Sequence, residues 1–232
     1  MDPNVGTMVS SLLVAAHGTR SSAGLATTRS LVSAVAAARP SVPVSLCFVD
    51  VTSPSLAAAL SGLGSAPVVV VPLLLSAGYH VLTDIPAVVA GRPWVRVAAH
   101  LGPDPVVIAA VASRLAEVSS GSAASTLLAA IDSSHSSART EVSVAASLLA
   151  SLLGRPVSVL ALSGSVSVDA FHRPVEVATY LLAEGGFLSS LRSAVAGRGV
   201  VAAPLGVHPA LVSLVWSRYY EALGGTASVP LP

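Results

Sequence analysis

One cysteine, no lysine and few charges of either sign narrow the chemistry open to this 232-residue chain. Cys47 alone forms no internal disulfide, cysteine-based zinc site or iron–sulfur cluster. Within SLCFV it reads as a small core residue. Charged residues make up only 10% of the chain, and all twelve basic residues are arginines, scattered against eleven acids. No cluster of positive charge marks a nucleic-acid footprint, so no nucleic-acid partner is expected. Long apolar runs are also missing. The longest, Ala66 to Leu75, is broken by Pro67 and Pro72 and falls short of the ~20 residues a spanning helix needs, so no membrane partner is expected. Asp2, with no basic residue before the first apolar run, does not fit a secretory signal, and a cytoplasmic location is expected.

What the chain does have is apolar surface. At 53% hydrophobic residues it can bury a substantial core. Leu12 to Ala16, Val44 to Val49, Val68 to Leu75 and Val95 to Ala99 read as short strands, and the intervening segments have helical period. That alternation predicts a parallel sheet covered by helices. The first helix is expected over about 24–38, stopping before Pro40. Ser53-Pro54 and Asp104-Pro105 both look like a capping residue followed by proline at the first helical position.

The second half resembles the first. Residues 98–115, AAHLGPDPVVIAAVASRL, match 202–219, AAPLGVHPALVSLVWSRY, at eight of eighteen positions. SLLVAAHGTRSS likewise lies against TLLAAIDSSHSS at 126–137. A duplicated unit is the economical explanation. Two similar α/β lobes, 8–118 and 126–223, are expected to flank a small-residue linker at 119–125 and to enclose a cleft, the monomer acting as a pseudo-dimer.

In open parallel sheets ligands bind beyond the carboxyl ends of the strands. The first strand delivers His17 there, the second Asp50, and the third His80. Imidazole with carboxylate suits Fe(II), Co(II), Ni(II) or Zn(II), making these three the candidate metal ligands. Taken singly, each has a plainer reading: a hydrogen-bonded structural histidine, or an aspartate that fixes a turn. Their coincidence at three successive strand exits favours a site.

HGTR, FVDVTSPSL and PLLLSAGYHVLTDIP, in that order, resemble the motifs of the CbiX/SirB-type sirohydrochlorin chelatases of the class II chelatase superfamily. The resemblance implies two tandem Rossmann-like lobes with parallel sheets flanked by helices. It also implies insertion of a divalent metal into sirohydrochlorin, either Fe(II) for sirohaem or Co(II) for a cobalamin precursor. His17 and His80 become catalytic metal-binding residues and Asp50 their acidic partner, although the family pattern has the longer glutamate at that position. No prosthetic group is expected, the metal being a substrate.

Metal entry releases two pyrrole N–H protons, and histidine, with an ordinary pKa near ~6.5, both holds a metal and accepts a proton at neutral pH. For the carboxylate-rich macrocycle Arg20 is the first candidate, with Gly18 and Gly78 allowing close backbone approach. Asp132 and Phe187 stand where the second lobe would carry His17 and His80, so that lobe is expected to lack the site and to complete the cleft. His135 is a minor candidate ligand, and His172 a loop residue. His100 and His208 are expected to cap helices or face solvent, and Asp84, which matches the family phrase in TDIP but before Ile85-Pro86 equally suits a turn, is left out of the ligand set. A histidine phosphatase is disfavoured because Ala16, not arginine, precedes His17. The other reading is a non-catalytic metal- or tetrapyrrole-binding protein.

Overall fold

The computed structural model describes residues 10–224, so residues 8 and 9 of the expected first lobe lie outside the described residues. The first half contains β1 (Ser11–Ala16), α1 (Ser22–Ala38), β2 (Val44–Phe48), α2 (Leu56–Leu63) and β3 (Val68–Leu73). A π-helical turn (His80–Asp84) then runs into α3 (Ile85–Val89), followed by β4 (Val95–Val97) and α4 (Pro105–Ala116). The second half contains β5 (Ser125–Ile131), α5 (Ser136–Leu153), β6 (Val157–Leu162), β7 (Val175–Thr179), α6 (Gly186–Val195), β8 (Gly199–Val201) and α7 (Pro209–Leu223). The strands form two four-stranded parallel sheets, ordered β2-β1-β3-β4 and β6-β5-β7-β8.

Each sheet is covered on both faces, which is why its central strands are near-continuous apolar runs. In β1, Leu12, Val14 and Ala16 join a core shared by both halves, while Leu13 and Ala15 face a smaller core beneath α2 and α3. Cys47 lies in that smaller core with no exposed surface, and burial pushes its thiol up to about 12. Such a thiol stays protonated at neutral pH and is inert.

The two halves exchange their last helices. α4 packs on β7 and α5, whereas α7 packs on β3, β4 and α1. The Trp216 indole N–H donates to the Val35 carbonyl at 3.0 Å, and the Arg218 guanidinium reaches Asp104 at 2.7 Å. The shared core accordingly draws Leu12, Val69 and Val71 from one sheet and Leu128, Ala130 and Ala178 from the other. Ser119 is tied to the second sheet by a 2.5 Å hydrogen bond to the buried Glu176. The halves are thereby interlocked, and no helix among the described residues is long and apolar enough to cross a membrane.

Helix starts follow local chemistry. Ser21 accepts from the Gly24 amide and Asp104 from the Val106 amide, the latter with Pro105 in the first turn. The second helix departs from expectation: it begins at Leu56 with Ser55, not Ser53, as its cap. The Pro54 carbonyl instead accepts from the Phe48 amide, and a bridge joins Phe48 to Ser55, so residues 53–54 extend the sheet edge before the helix starts.

Candidate active site

Strand order alone brings two of the three exits together. β1 lies between β2 and β3, so the chain leaves β1 toward one side of the sheet and reaches β3 on the other. This is the topological switch point where open α/β sheets leave a crevice at the strand carboxyl ends. His17 follows β1 directly, and His80 opens the π-helical turn after β3.

The two imidazoles meet edge to face. Their centroids are 4.6 Å apart with planes at 86°, and Nε2 of His17 lies 3.2 Å from Nε2 of His80. The opposite ring nitrogens assign the tautomers. His80 Nδ1 lies 2.6 Å from Asp84 Oδ2, and His17 Nδ1 lies 3.2 Å from the Gly18 carbonyl oxygen. Carboxylate and carbonyl only accept, so each Nδ1 carries a proton, and the two Nε2 atoms face each other. Two facing lone pairs repel unless a cation, either a proton or a metal ion, sits between them.

Asp84 is the residue left out of the ligand set in the sequence because its position equally suits a turn. It lies one π-helical turn past His80, with its carboxylate against the imidazole. A carboxylate that orients a ligating histidine and raises its basicity recurs in metal sites. The His-x-x-x-Asp spacing was the available signal, because residues four apart share a helical face.

Asp50 occupies the third exit in a different manner. Its backbone amide donates to the His17 carbonyl at 3.0 Å, and its Oδ1 accepts from the Val51 amide at 2.7 Å. No cluster of three or more histidine, cysteine or acidic side chains suited to a metal occurs among the described residues. In this conformation Asp50 therefore fixes the backbone beneath His17, while its carboxylate closes the β2 turn. That turn holds Val51 at φ 61°, a left-handed geometry that costs a β-branched residue about 1–3 kcal/mol. Gly18, at φ 96°, packs so tightly on this turn that a Cβ would stand 2.0 Å from the Asp50 carbonyl oxygen. Glycine is thus required at 18 by the protein's own packing.

Arg20 is exposed and forms no ion pair among the described residues. At Gly78 a Cβ would meet only the Ser133 hydroxyl, at 3.9 Å. No neighbour among the described residues dictates glycine there.

The second half presents Asp132 and Phe187 at the corresponding exits, both exposed, with Asp132 accepting from the Ser133 amide. His135 precedes α5 and lies 5.8 Å from the Tyr79 ring, beside the imidazole pair rather than within it. His172 is exposed. His208 caps α7 through its Nδ1, and burial lowers its pKa. His100 departs from expectation: it neither caps a helix nor faces solvent but lies 3.1 Å from Glu141 on α5. Glu141, missed in the sequence, also accepts from the Ala77 amide at 2.6 Å. The Tyr180 hydroxyl donates to the Leu75 carbonyl at 3.0 Å. Burial first, then the charges of Glu141 and Asp104, hold this phenol well above its ordinary range, so it remains a donor.

Comparison with known proteins agrees with this architecture. Residues 11–118 match the CbiX family. No match was found among curated proteins. Among solved structures, SirB from Bacillus subtilis with Fe3+ is 21% identical, with a TM-score of 0.75 over 93% of this chain and 96% of that one. The sirohydrochlorin chelatase SirB from Bacillus subtilis subspecies spizizenii, in complex with cobalt, is 20% identical, with the same TM-score over 93% and 95%. A multi-domain Deinococcus radiodurans protein with structural similarity to chelatases is 20% identical with a TM-score of 0.69, and the match spans 91% of this chain but 54% of that protein. Residues 11–118 are thus similar to the CbiX family, and over nearly its whole length the chain shares the fold of the SirB structures.

Proposed function

We propose that this chain is a sirohydrochlorin chelatase that inserts a divalent metal, Fe(II) for sirohaem in the leading reading and Co(II) for a cobalamin precursor in the alternative. It would act as a cytoplasmic monomer whose duplicated lobes, 8–118 and 126–223 joined through 119–125, stand in for two subunits. The observation that carries the reading is the pair of facing Nε2 atoms 3.2 Å apart at the sheet's switch point. With metal–nitrogen bonds of about 2.05 Å, that separation subtends about 100° at a shared ion, between square and tetrahedral angles. His17 and His80 together therefore suit one first-row divalent ion and leave its other positions open.

Open positions are what a chelatase needs, because the metal must leave for the macrocycle. As metal–nitrogen bonds form on the tetrapyrrole, two pyrrole N–H bonds break and two protons must be accepted. Each imidazole relinquishing the metal regains the lone pair that takes up a proton. The transfer balances as metal dication plus macrocycle giving metallated macrocycle plus two protons. Asp84 keeps the His80 lone pair on Nε2, directed at His17. Arg20, exposed beside His17, is assigned to substrate carboxylates, and Gly18 and Gly78 keep the backbone low at the two histidine loops. Exposed Tyr79, Leu82 and Val51 border the same edge and suit the flat face of a macrocycle.

Asp50 supports His17 through the backbone. Oδ1 accepts from the Val51 amide, which leaves Oδ2 as the oxygen for a direct ligand role. The donor set does not choose between iron and cobalt, since imidazole accepts either and selectivity reflects metal availability.

The purified protein, incubated anaerobically with sirohydrochlorin and Fe(II) or Co(II), is expected to accelerate the absorption change of metal insertion over the uncatalysed rate. Tight binding of both substrates without acceleration would replace this reading with that of a carrier.

A further inference from the structure

The loops that carry the two imidazoles are anchored differently. His17 is fixed within the first sheet, its carbonyl bonded to the Asp50 amide. His80 follows a loop that leaves β3 at Leu73, is tied to the first half where the Leu101 amide donates to the Leu74 carbonyl at 2.9 Å, and is then gripped at Leu75 and Ala77 by the second half. The Tyr180 hydroxyl holds the Leu75 carbonyl at 3.0 Å, and the Ser137 hydroxyl holds the Ala77 carbonyl at 2.9 Å. The Glu141 carboxylate holds the Ala77 amide at 2.6 Å. Ala77 is only 6% exposed, and its amide lies outside any helix or strand and takes the Glu141 side chain as its acceptor. Ser137 and Glu141 lie four apart on α5 and grip both polar groups of this one residue. The same Glu141 oxygen, Oε2, is 3.1 Å from His100 Nε2. His100 is anchored in turn by Arg218, whose Nε donates to its carbonyl at 3.2 Å.

We propose that Glu141 is a positioning residue for the metal pair: through the Ala77 amide it sets where His80 stands, and hence the Nε2 to Nε2 separation. This gives the second half, which lacks an imidazole pair of its own, a defined part in the first half's chemistry. The inference rests on the reading of His17 and His80 as metal ligands, but not on turnover. Ala77 precedes His80 by three residues, so a shift of this loop passes directly to the ring. A carboxylate suits the task because one oxygen accepts from both the Ala77 amide and His100.

The test uses the full chain and Co(II) alone, titrated anaerobically and followed by visible absorption, with circular dichroism to verify folding. Glu141→Leu is expected to bind Co(II) at least about tenfold more weakly, the scale seen when supports of metal ligands are removed. Glu141→Gln keeps an acceptor for the Ala77 amide and is expected to restore affinity to within about threefold of the parent, and Ser137→Ala to cost about threefold, the loss of one modest hydrogen bond. Parental affinity in Glu141→Leu overturns the proposal, as does equal weakening in the leucine and glutamine variants. If the leucine variant does not fold, parental affinity in Ser137→Ala overturns it. Failure of the chelatase reading looks different: the parent binds Co(II) and inserts none.

Discussion

Alanine at His17 or at His80 is expected to lower the rate of metal insertion by about a hundredfold or more while leaving the thermal midpoint nearly unchanged. Each substitution removes one of the two Nε2 atoms that face each other at 3.2 Å, and a single imidazole neither chelates nor leaves a second base in place. Stability should hardly move, because His17 is exposed and the His80 side chain is 22% exposed, so neither truncation opens a cavity in the core. Initial rates with sirohydrochlorin and Co(II) provide the measurement. Equal losses in both variants indicate that the pair acts as a unit, and normal turnover in either would remove that residue from the chemistry.

Asp84→Ala is expected to cost about tenfold to a hundredfold in Co(II) affinity, with a parallel loss of insertion rate. Its carboxylate, 2.6 Å from His80 Nδ1, selects the tautomer that frees Nε2 and stabilises the positive charge that builds on the ring when Nε2 binds a cation. Asp84→Asn retains an acceptor without the charge, so a smaller loss is expected from it than from alanine. Equal losses in the two variants would show that charge, rather than orientation, carries the effect. A parental affinity in Asp84→Ala would show that His80 needs neither. The side chain is about one-third exposed, so folding should tolerate both changes.

The position of the histidines was legible because a parallel sheet projects its strand exits onto one edge, and β1 and β3 are neighbours in that sheet. Apolar runs ending in His17 and leading to His80 therefore carried three-dimensional information. Asp84 was harder to read. Ile85-Pro86 after it suggested a turn, whereas the chain runs on as a π-helical segment into α3, which places Asp84 beneath His80. Glu141 had no local signal, since it reaches Ala77 across 64 residues and the contact exists only when the second half packs on the first.

The exchange of α4 and α7 was invisible for a related reason. An amphipathic pattern shows that a helix has an apolar face and does not say which sheet receives it. The duplicated segments that drew attention in the sequence lie largely on these two helices and the loops before them. Each helix serves the sheet of the other half, and a sequence repeat has become a structural interlock. The start of α2 was misjudged because Ser53-Pro54 satisfies the pattern of a capped helix, yet the pairing of Phe48 with Pro54 and Ser55 keeps the chain extended for two more residues.

Cobalt K-edge X-ray absorption on the protein loaded with one equivalent of Co(II) reports directly on the shared ion. Two imidazole nitrogens at about 2.1 Å are expected in the parent, and one in either single alanine variant. A parent spectrum without imidazole scattering, or one unchanged in both variants, would contradict a metal held between His17 and His80.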